Sequence, residues 1–211
     1  MISKTKNLDL VKVDLYEEMH QTIINFSDNF QKIDDAAELY ANNFPQLGNW
    51  VKKQRVWNSN PASGSYIGWV CVRDGIAART WNALTPYTLG DYIVPLADNG
   101  HVYQCTKTGN SGVTQPTFPL SPQGIVEDTK GGVPWRSATR ANANDIVFPT
   151  LDNGAFYVCE VPGVTGSAEP LWSASAGDAV YDGNVTWRVY RKTEWKEVGP
   201  AALFKGFGII A

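Results

Sequence analysis

Histidine is nearly missing from this 211-residue chain: there are two, His20 and His101, far apart in sequence. With no clustered cysteines beside them, no metal site can be assembled by spacing. Charge is scarce as well. Charged residues make up 18% of the chain and the formal net charge is -3. No basic stripe stands out, which excludes the electrostatic footprint of a nucleic-acid binder. No apolar run approaches the roughly 18 residues of a membrane span, so none is expected. The first residues, Met-Ile-Ser-Lys-Thr-Lys-Asn, lack the apolar core of a secretory signal. No Gly-x-Ser-x-Gly, phosphate loop or dinucleotide fingerprint occurs. The expectation is therefore a protein that is not an enzyme and carries no cofactor. Cysteine is limited to Cys71, Cys105 and Cys159. That odd number, one per similar strand, suits small buried apolar residues better than a disulfide framework. It also suits a protein made in a reducing cytosol.

What the chain does have is aromatics, eight of them Trp, with 19 Gly and 12 Pro. The aromatics recur. From Trp81 to Arg188 one pattern is written twice at a constant offset of 54 positions: Trp81/Trp135, Asp91/Asp145, Pro95/Pro149, Asn99/Asn153, Gly100/Gly154, Tyr103/Tyr157 and Cys105/Cys159. Gly109/Gly163, Gly112/Gly166 and Pro116/Pro170 continue the register. A period of about 50 residues marks a repeated supersecondary unit. Asp98-Asn-Gly and Asp152-Asn-Gly, each between two apolar runs, are hairpin signals. Each copy is read as closing on a Trp strand, Val133-Pro-Trp135-Arg in the first and Asn184-Val-Thr-Trp187-Arg in the second. Trp135 would then end one unit and open the next, so the units abut.

Ahead of the repeats, residues 1–13 read as an extended anchoring arm and residues 14–45 as a coiled-coil-like helix. Asp14 and Glu17 fit a capping box, and Pro45 ends the helix. Met19, Ile23, Phe26, Phe30, Ile33, Ala37, Tyr40 and Phe44 are spaced alternately by four and three, an a/d heptad. A stripe this narrow admits packing on its own domain or a self-associating bundle. Bulky aromatics at core positions ask for a wide core, and a trimer is expected. Residues 46–80 form a β connector or truncated module whose Trp69-Val-Cys71 echoes Tyr103-Gln-Cys105. Residues 81–134 and 135–192 are the two repeats. The end, 193–211, is apolar (Leu203, Phe204, Phe207, Ile209, Ile210) and calls for a cover. The expected fold class is mainly β with an N-terminal α-helix: a short trimeric helical bundle followed by tandem small antiparallel β modules.

The paired carboxylates Asp91/Asp145 and Asp98/Asp152 read as turn and strand-cap residues. A catalytic pair is built once, whereas a cap is built once per unit. The repeated rings have two readings. They can form the small core of each unit, where Trp contributes much of the apolar area. Alternatively Trp81, Tyr87, Trp135 and Trp172 can contact glycans by stacking on the apolar face of a sugar.

The unit Trp81…Tyr87…Gly90-Asp91…Val94…Asn99-Gly100…Tyr103…Cys105…Pro116 resembles the small chitin-binding type of carbohydrate-binding module. It is more similar still to relatives of that module in bacteriophage tail and neck fibres. The second copy keeps Trp135, Asp145, Asn153-Gly154, Tyr157, Cys159, Gly163, Gly166, Pro170, Asp182-Gly183 and Trp187. It departs at Ala141, where the first has Tyr87, and at Asn144, where the first has Gly90. The stretch Asn29-Phe30-Gln-Lys-Ile33-Asp34-Asp-Ala36 resembles the N-terminal helix of phage fibres, the end that attaches to the virion. The resemblance implies a homotrimeric fibre, collar or tail appendage, located in the virion and assembled in the host cytoplasm. It would contact other virion proteins through residues 1–13 and 193–211, and host-surface carbohydrate through its modules. An accessory carbohydrate-binding module of a hydrolase and a ligand-free spacer are the competing readings.

Overall fold

The computed structural model describes residues 5, 8, 10–12, 18–35 and 37–211. The chain is mainly β, with one helix near the N-terminus. It divides into two compact units. One draws on residues 1–44, 55–70 and 206–211, the other on residues 45–54 and 71–205.

In chain order the helix α1 (Met19–Asp35) is followed by β1 (Leu39–Ala41), β2 (Asn49–Trp50), β3 (Arg55–Asn58), β4 (Tyr66–Arg73) and β5 (Gly75–Ile76). The expected helix over 14–45 is thus shorter. It stops at Asp35 because Leu39–Ala41 pairs in parallel with Val56–Asn58. A ladder to a neighbouring strand overrides the helical period there. Ala37, Tyr40 and Phe44 lie beyond the helix. Asp14 and Glu17, the expected cap, fall outside the described residues, as do 1–4, 6, 7, 9 and 13 of the expected arm. Where the arm is described it meets the helix: the Asn29 side chain accepts from the Val11 N–H at 2.9 Å and donates to the Val11 carbonyl at 2.9 Å. In the same unit the Trp57 and Phe207 rings meet edge to face at 5.5 Å.

The first repeat contributes β6 (Arg79–Thr80), β7 (Pro86–Tyr87), β8 (Tyr92–Val94), β9 (His101–Lys107), β10 (Gly109–Asn110) and β11 (Ile125–Glu127). The second contributes β12 (Val133–Pro134), β13 (Arg140–Ala141), β14 (Ile146–Phe148), β15 (Ala155–Val161), β16 (Gly163–Val164), β17 (Ala179–Asp182) and β18 (Val185–Arg191). The chain ends with β19 (Glu194–Pro200) and β20 (Leu203–Ile209).

The sheet orders correct the tandem expectation. The second repeat is complete in itself: β12-β14-β15-β18-β17. The first has the same order, β6-β8-β9-β19-β11, but β19 comes after the whole second repeat. The two modules are nested, the inner inserted between β11 and β19 of the outer. Val133–Pro134 does not close the first repeat. It is the parallel edge strand of the inner one, and the closing Trp of the outer module is Trp195, opposite Cys105. The four-stranded sheet β1-β3-β4-β20 repeats the order with one strand fewer. The return strands β18, β19 and β20, each of seven residues, follow one another in sequence: β18 closes the inner module, β19 the outer one, and β20 joins the four-stranded sheet. Residues 193–211, expected as an apolar segment in need of a cover, run mainly as the sheet strands β19 and β20.

Each module is held by the same parts. The strand-entry turn places Gly90 and Asn144 at positive φ (94° and 71°). It lets Asp91 and Asp145 accept from the N–H of Thr88 and Asn142 at 2.8 and 2.7 Å. Lys53, at φ 77°, and Gln54 repeat the turn: Gln54 accepts from the Val51 N–H at 2.8 Å. In the hairpins, Asn99 donates to Tyr103, whose hydroxyl donates to the Pro119 carbonyl. Asn153, Tyr157 and Ser173 do the same. The outer core gathers Trp81, Tyr87, Ile93, Tyr103, Cys105, Phe118 and Trp195. The inner core gathers Val147, Ala155, Tyr157, Cys159, Val180, Val185, Trp187 and Val189 around Ala141. All three cysteines are free and buried. The back of the inner sheet, Ile146, Phe156 and Val158, packs on Leu84 and Val113 of the outer module.

Candidate functional site

Two features are candidates: the apolar stripe of α1 and the ring positions of the modules. Met19, Ile23, Phe26, Phe30 and Ile33 all lie on the helix and all are exposed. Met19 is 80% and Phe30 68% exposed. Tyr40 and Phe44, off the helix, are exposed too. Five large apolar side chains in water along one short helix are costly, at about 25 cal/mol per Å² of surface left uncovered. Asn25 is the buried exception.

The proposed glycan residues separate. Trp81 is 4% and Tyr87 1% exposed, so neither offers a ring face to a sugar. Both belong to the outer core because the module has few other large apolar groups. Trp135 and Trp172 are half-buried. Trp172 lies against Tyr157 at 4.3 Å and donates its indole N–H to Glu169 at 2.7 Å. Its counterpart in the outer module, Phe118, stacks on Tyr103 at the same distance.

A buried carboxylate organises each core. Asp128 accepts the indole N–H of Trp81 and of Trp195, both at 2.7 Å. Asp182 accepts those of Trp135 at 2.7 Å and Trp187 at 3.1 Å. Asp182 and Trp187 belong to the Asp-Gly…Trp part of the motif. Their outer equivalents could not be found by proximity, because the insertion separates Asp128 from Trp195. Burial pushes the Asp128 carboxyl above its ordinary value, and the indole hydrogen bonds oppose that rise. Its Oδ1 makes no close hydrogen bond, although the Gly112 backbone, the counterpart of Gly166, lies beside it and also acts to lower the carboxyl. In the inner module the matching oxygen accepts the Gly166 N–H at 2.7 Å. Burial also raises the thiols of Cys71, Cys105 and Cys159, which keeps them protonated and unreactive.

A second set of rings sits where the small two-stranded ladders cross. Trp50 lies opposite Gly75, Tyr87 opposite Gly109 and Ala141 opposite Gly163. These are one position at three levels. Trp50 meets Phe204 edge to face at 5.2 Å, and Tyr87 meets Trp195 in the same way at 4.8 Å. The inner level has only a methyl there. Two clefts open on this side of the modules. One, of about 490 Å³, is lined by Leu47, Asn49, Arg79, Asp91 and Tyr92 among others. The other, about 240 Å³, surrounds Ala141. Among the described residues there is no group of three or more His, Cys, Asp or Glu that could hold a metal, and no helix is long and apolar enough to cross a membrane.

No family model, curated protein or solved structure matches the chain.

Proposed function

We propose that the chain is a structural protein of a tailed bacteriophage virion, a homotrimeric fibre, collar or tail appendage. The observation that carries this reading is the exposed stripe Met19, Ile23, Phe26, Phe30 and Ile33 on α1. Its heptad spacing fits further copies of the same helix, and the Phe residues fill a core wider than that of a two-stranded coil. The helix end anchors to another virion protein and the nested β modules project. The resemblance to phage fibre modules supports this assignment, as does a fold whose buried polar groups serve turns and cores. Three copies would multiply weak contacts with host-surface glycans into firm attachment. In such contacts Trp135 and Trp172 of the inner module are the rings with surface left to offer.

Light scattering on the full chain tests the reading. A mass three times the 23.2 kDa of one chain, falling to that of a monomer in an Ile23→Asp/Phe30→Asp variant with unchanged circular dichroism, supports it. A wild-type monomer at tens of micromolar defeats the trimer and shifts the weight to an accessory sugar-binding module.

A further inference from the structure

We propose that the inner module carries a binding site for a small phenolic ring, in the place its sequence leaves unfilled at Ala141. The three levels of the fold act as internal references for one another. At the level of β2 and β5 the position opposite the ladder glycine holds Trp50. At the level of β7 and β10 it holds Tyr87. Tyr87 is held from three sides: its ring meets Trp195 at 4.8 Å, the Arg79 guanidinium lies 4.4 Å over it, and its hydroxyl accepts the Asn82 N–H at 3.2 Å. At the inner level the three holders become Trp187, Val133 and Arg136, and the ring itself becomes Ala141.

The cleft of about 240 Å³ is lined by just these substitutes: Val133, Arg136, Ala141 and Trp187, with Arg140 and Asp145 among the others. Ala141, Val147 and Trp187 are buried in one cluster and form an apolar floor. The Arg136 N–H, the equivalent of the donor that holds the Tyr87 hydroxyl, has no acceptor within the described chain. Arg136 and Arg140 stand exposed at the mouth where the outer module has the uncharged Asn82 and Pro86. A flat ring with a hydroxyl at its tip meets all of these features. The ring covers the floor, the hydroxyl accepts from Arg136, and the two guanidinium groups favour an electron-rich ring, while the Asp145 carboxylate in the same lining favours the neutral phenol over an anion. A ligand of so few atoms gains affinity on the order of 1 mM. The inference is independent of the trimeric fibre reading, since it concerns one module of one chain.

The test uses the full chain and p-cresol, the side-chain analogue of tyrosine, followed by the NMR signals of the Ala141 methyl and the Trp187 indole N–H. Saturable shifts of both, weaker with toluene, are expected. Ala141→Tyr supplies the ring in cis and should weaken p-cresol binding by roughly tenfold or more. Tyr87→Ala should open a second site in the outer module, seen as new saturable shifts at Trp195. N-acetyl-tyrosinamide distinguishes the source of the ring. If it binds as well, the site takes a tyrosine on a polypeptide, and if p-cresol alone binds, it takes a free phenol. Absence of saturable p-cresol shifts at Ala141 and Trp187 in the wild-type chain overturns the proposal, whatever the variants do. So does unchanged p-cresol affinity in folded Ala141→Tyr.

Discussion

The outer and inner modules have the same sheet order and the same carboxylate between two indoles, yet they close in different ways. In the inner module Asp182 meets its second indole five residues along the chain. In the outer module Asp128 meets Trp195 67 residues along. Loop-closure entropy grows with the logarithm of that separation, so the outer closure is costlier by about 2 kcal/mol while the insert is unfolded. Once the inner module has formed, its two ends lie together. The Asp128 N–H donates to the Thr193 carbonyl at 3.0 Å. Lys192 stands between Glu127 and Asp152 at 3.6 and 3.1 Å and lies over the Phe148 ring. A folded insert removes the entropic difference. The nested order therefore predicts that the inner module forms before the outer one closes on it.

The largest effect expected from breaking that order comes from the carboxylates. Asp128→Ala and Asp182→Ala each strip the acceptor from two indole N–H groups, at a cost of about 2–5 kcal/mol. The consequences differ. Loss at Asp128 should raise hydrogen exchange in β9 and β19 while β15 and β18 stay protected. Loss at Asp182 should expose both modules. Hydrogen exchange followed strand by strand separates the two, and equal protection loss in both variants would refute inside-out closure.

A somewhat smaller effect belongs to the ladder glycines. A Cβ on Gly109 would lie 2.4 Å from the Lys192 carbonyl oxygen, and one on Gly163 would lie 2.5 Å from that of Asn184. Both obstacles are backbone, so neither can swing aside. Gly109→Ala and Gly163→Ala should each lose about 1–3 kcal/mol in urea unfolding, by displacing the return strand from its crossing. Gly163→Ala should in addition disturb the outer module, and Gly109→Ala should leave the inner one intact.

The smallest effect is electrostatic. Asp98, in the outer hairpin turn, is held below its ordinary value by the Arg73 guanidinium at 2.7 and 3.0 Å and by the Gly100 N–H. Asp152, its inner counterpart, is lowered by the Gly154 N–H and by Lys192. Burial works against ionisation of Glu197, yet hydrogen bonds from His101, Gln123 and Gly199 lower it too. A depressed carboxyl contributes stability above its unfolded value, and that stability is lost as pH falls through the folded one. Melting temperature should therefore decline below about pH 4. Asp98→Asn should flatten that decline more than Asp152→Asn, because Arg73 grips with two nitrogens and the Asp152 side chain is 68% exposed. Asp128 has the opposite sign: its raised carboxyl favours stability at low pH and loses that contribution as pH rises through the folded value.

Much of this architecture was legible residue by residue. The offset of 54 found both modules, the Asp-Asn-Gly pairs found both hairpins, and Cys71 marked a third, shorter relative. The three cysteines are buried and unpaired, as their placement suggested. The helix was legible only in part, since the heptad runs past Asp35 into residues that pair as β1. The rings were harder. Trp81 and Tyr87 are core groups, and nothing in their spacing distinguishes a buried indole from an exposed one. The carboxylate Asp128 lay hidden because the motif that would expose it is interrupted before its Trp.

The sequence by itself determined the local units: which residues turn, which alternate, and which repeat. Those properties depend on neighbours a few positions away, through backbone conformation and short hydrogen bonds. Tertiary structure alone decided which strand closes which module. Trp135, Trp187 and Trp195 are each followed by Arg or Lys, and the pairing of β18 with β15 and of β19 with β9 assigns Trp187 to the inner level and Trp195 to the outer, where each meets its buried carboxylate. That choice is made by burial, because an indole N–H sealed from water must find its acceptor inside the same core.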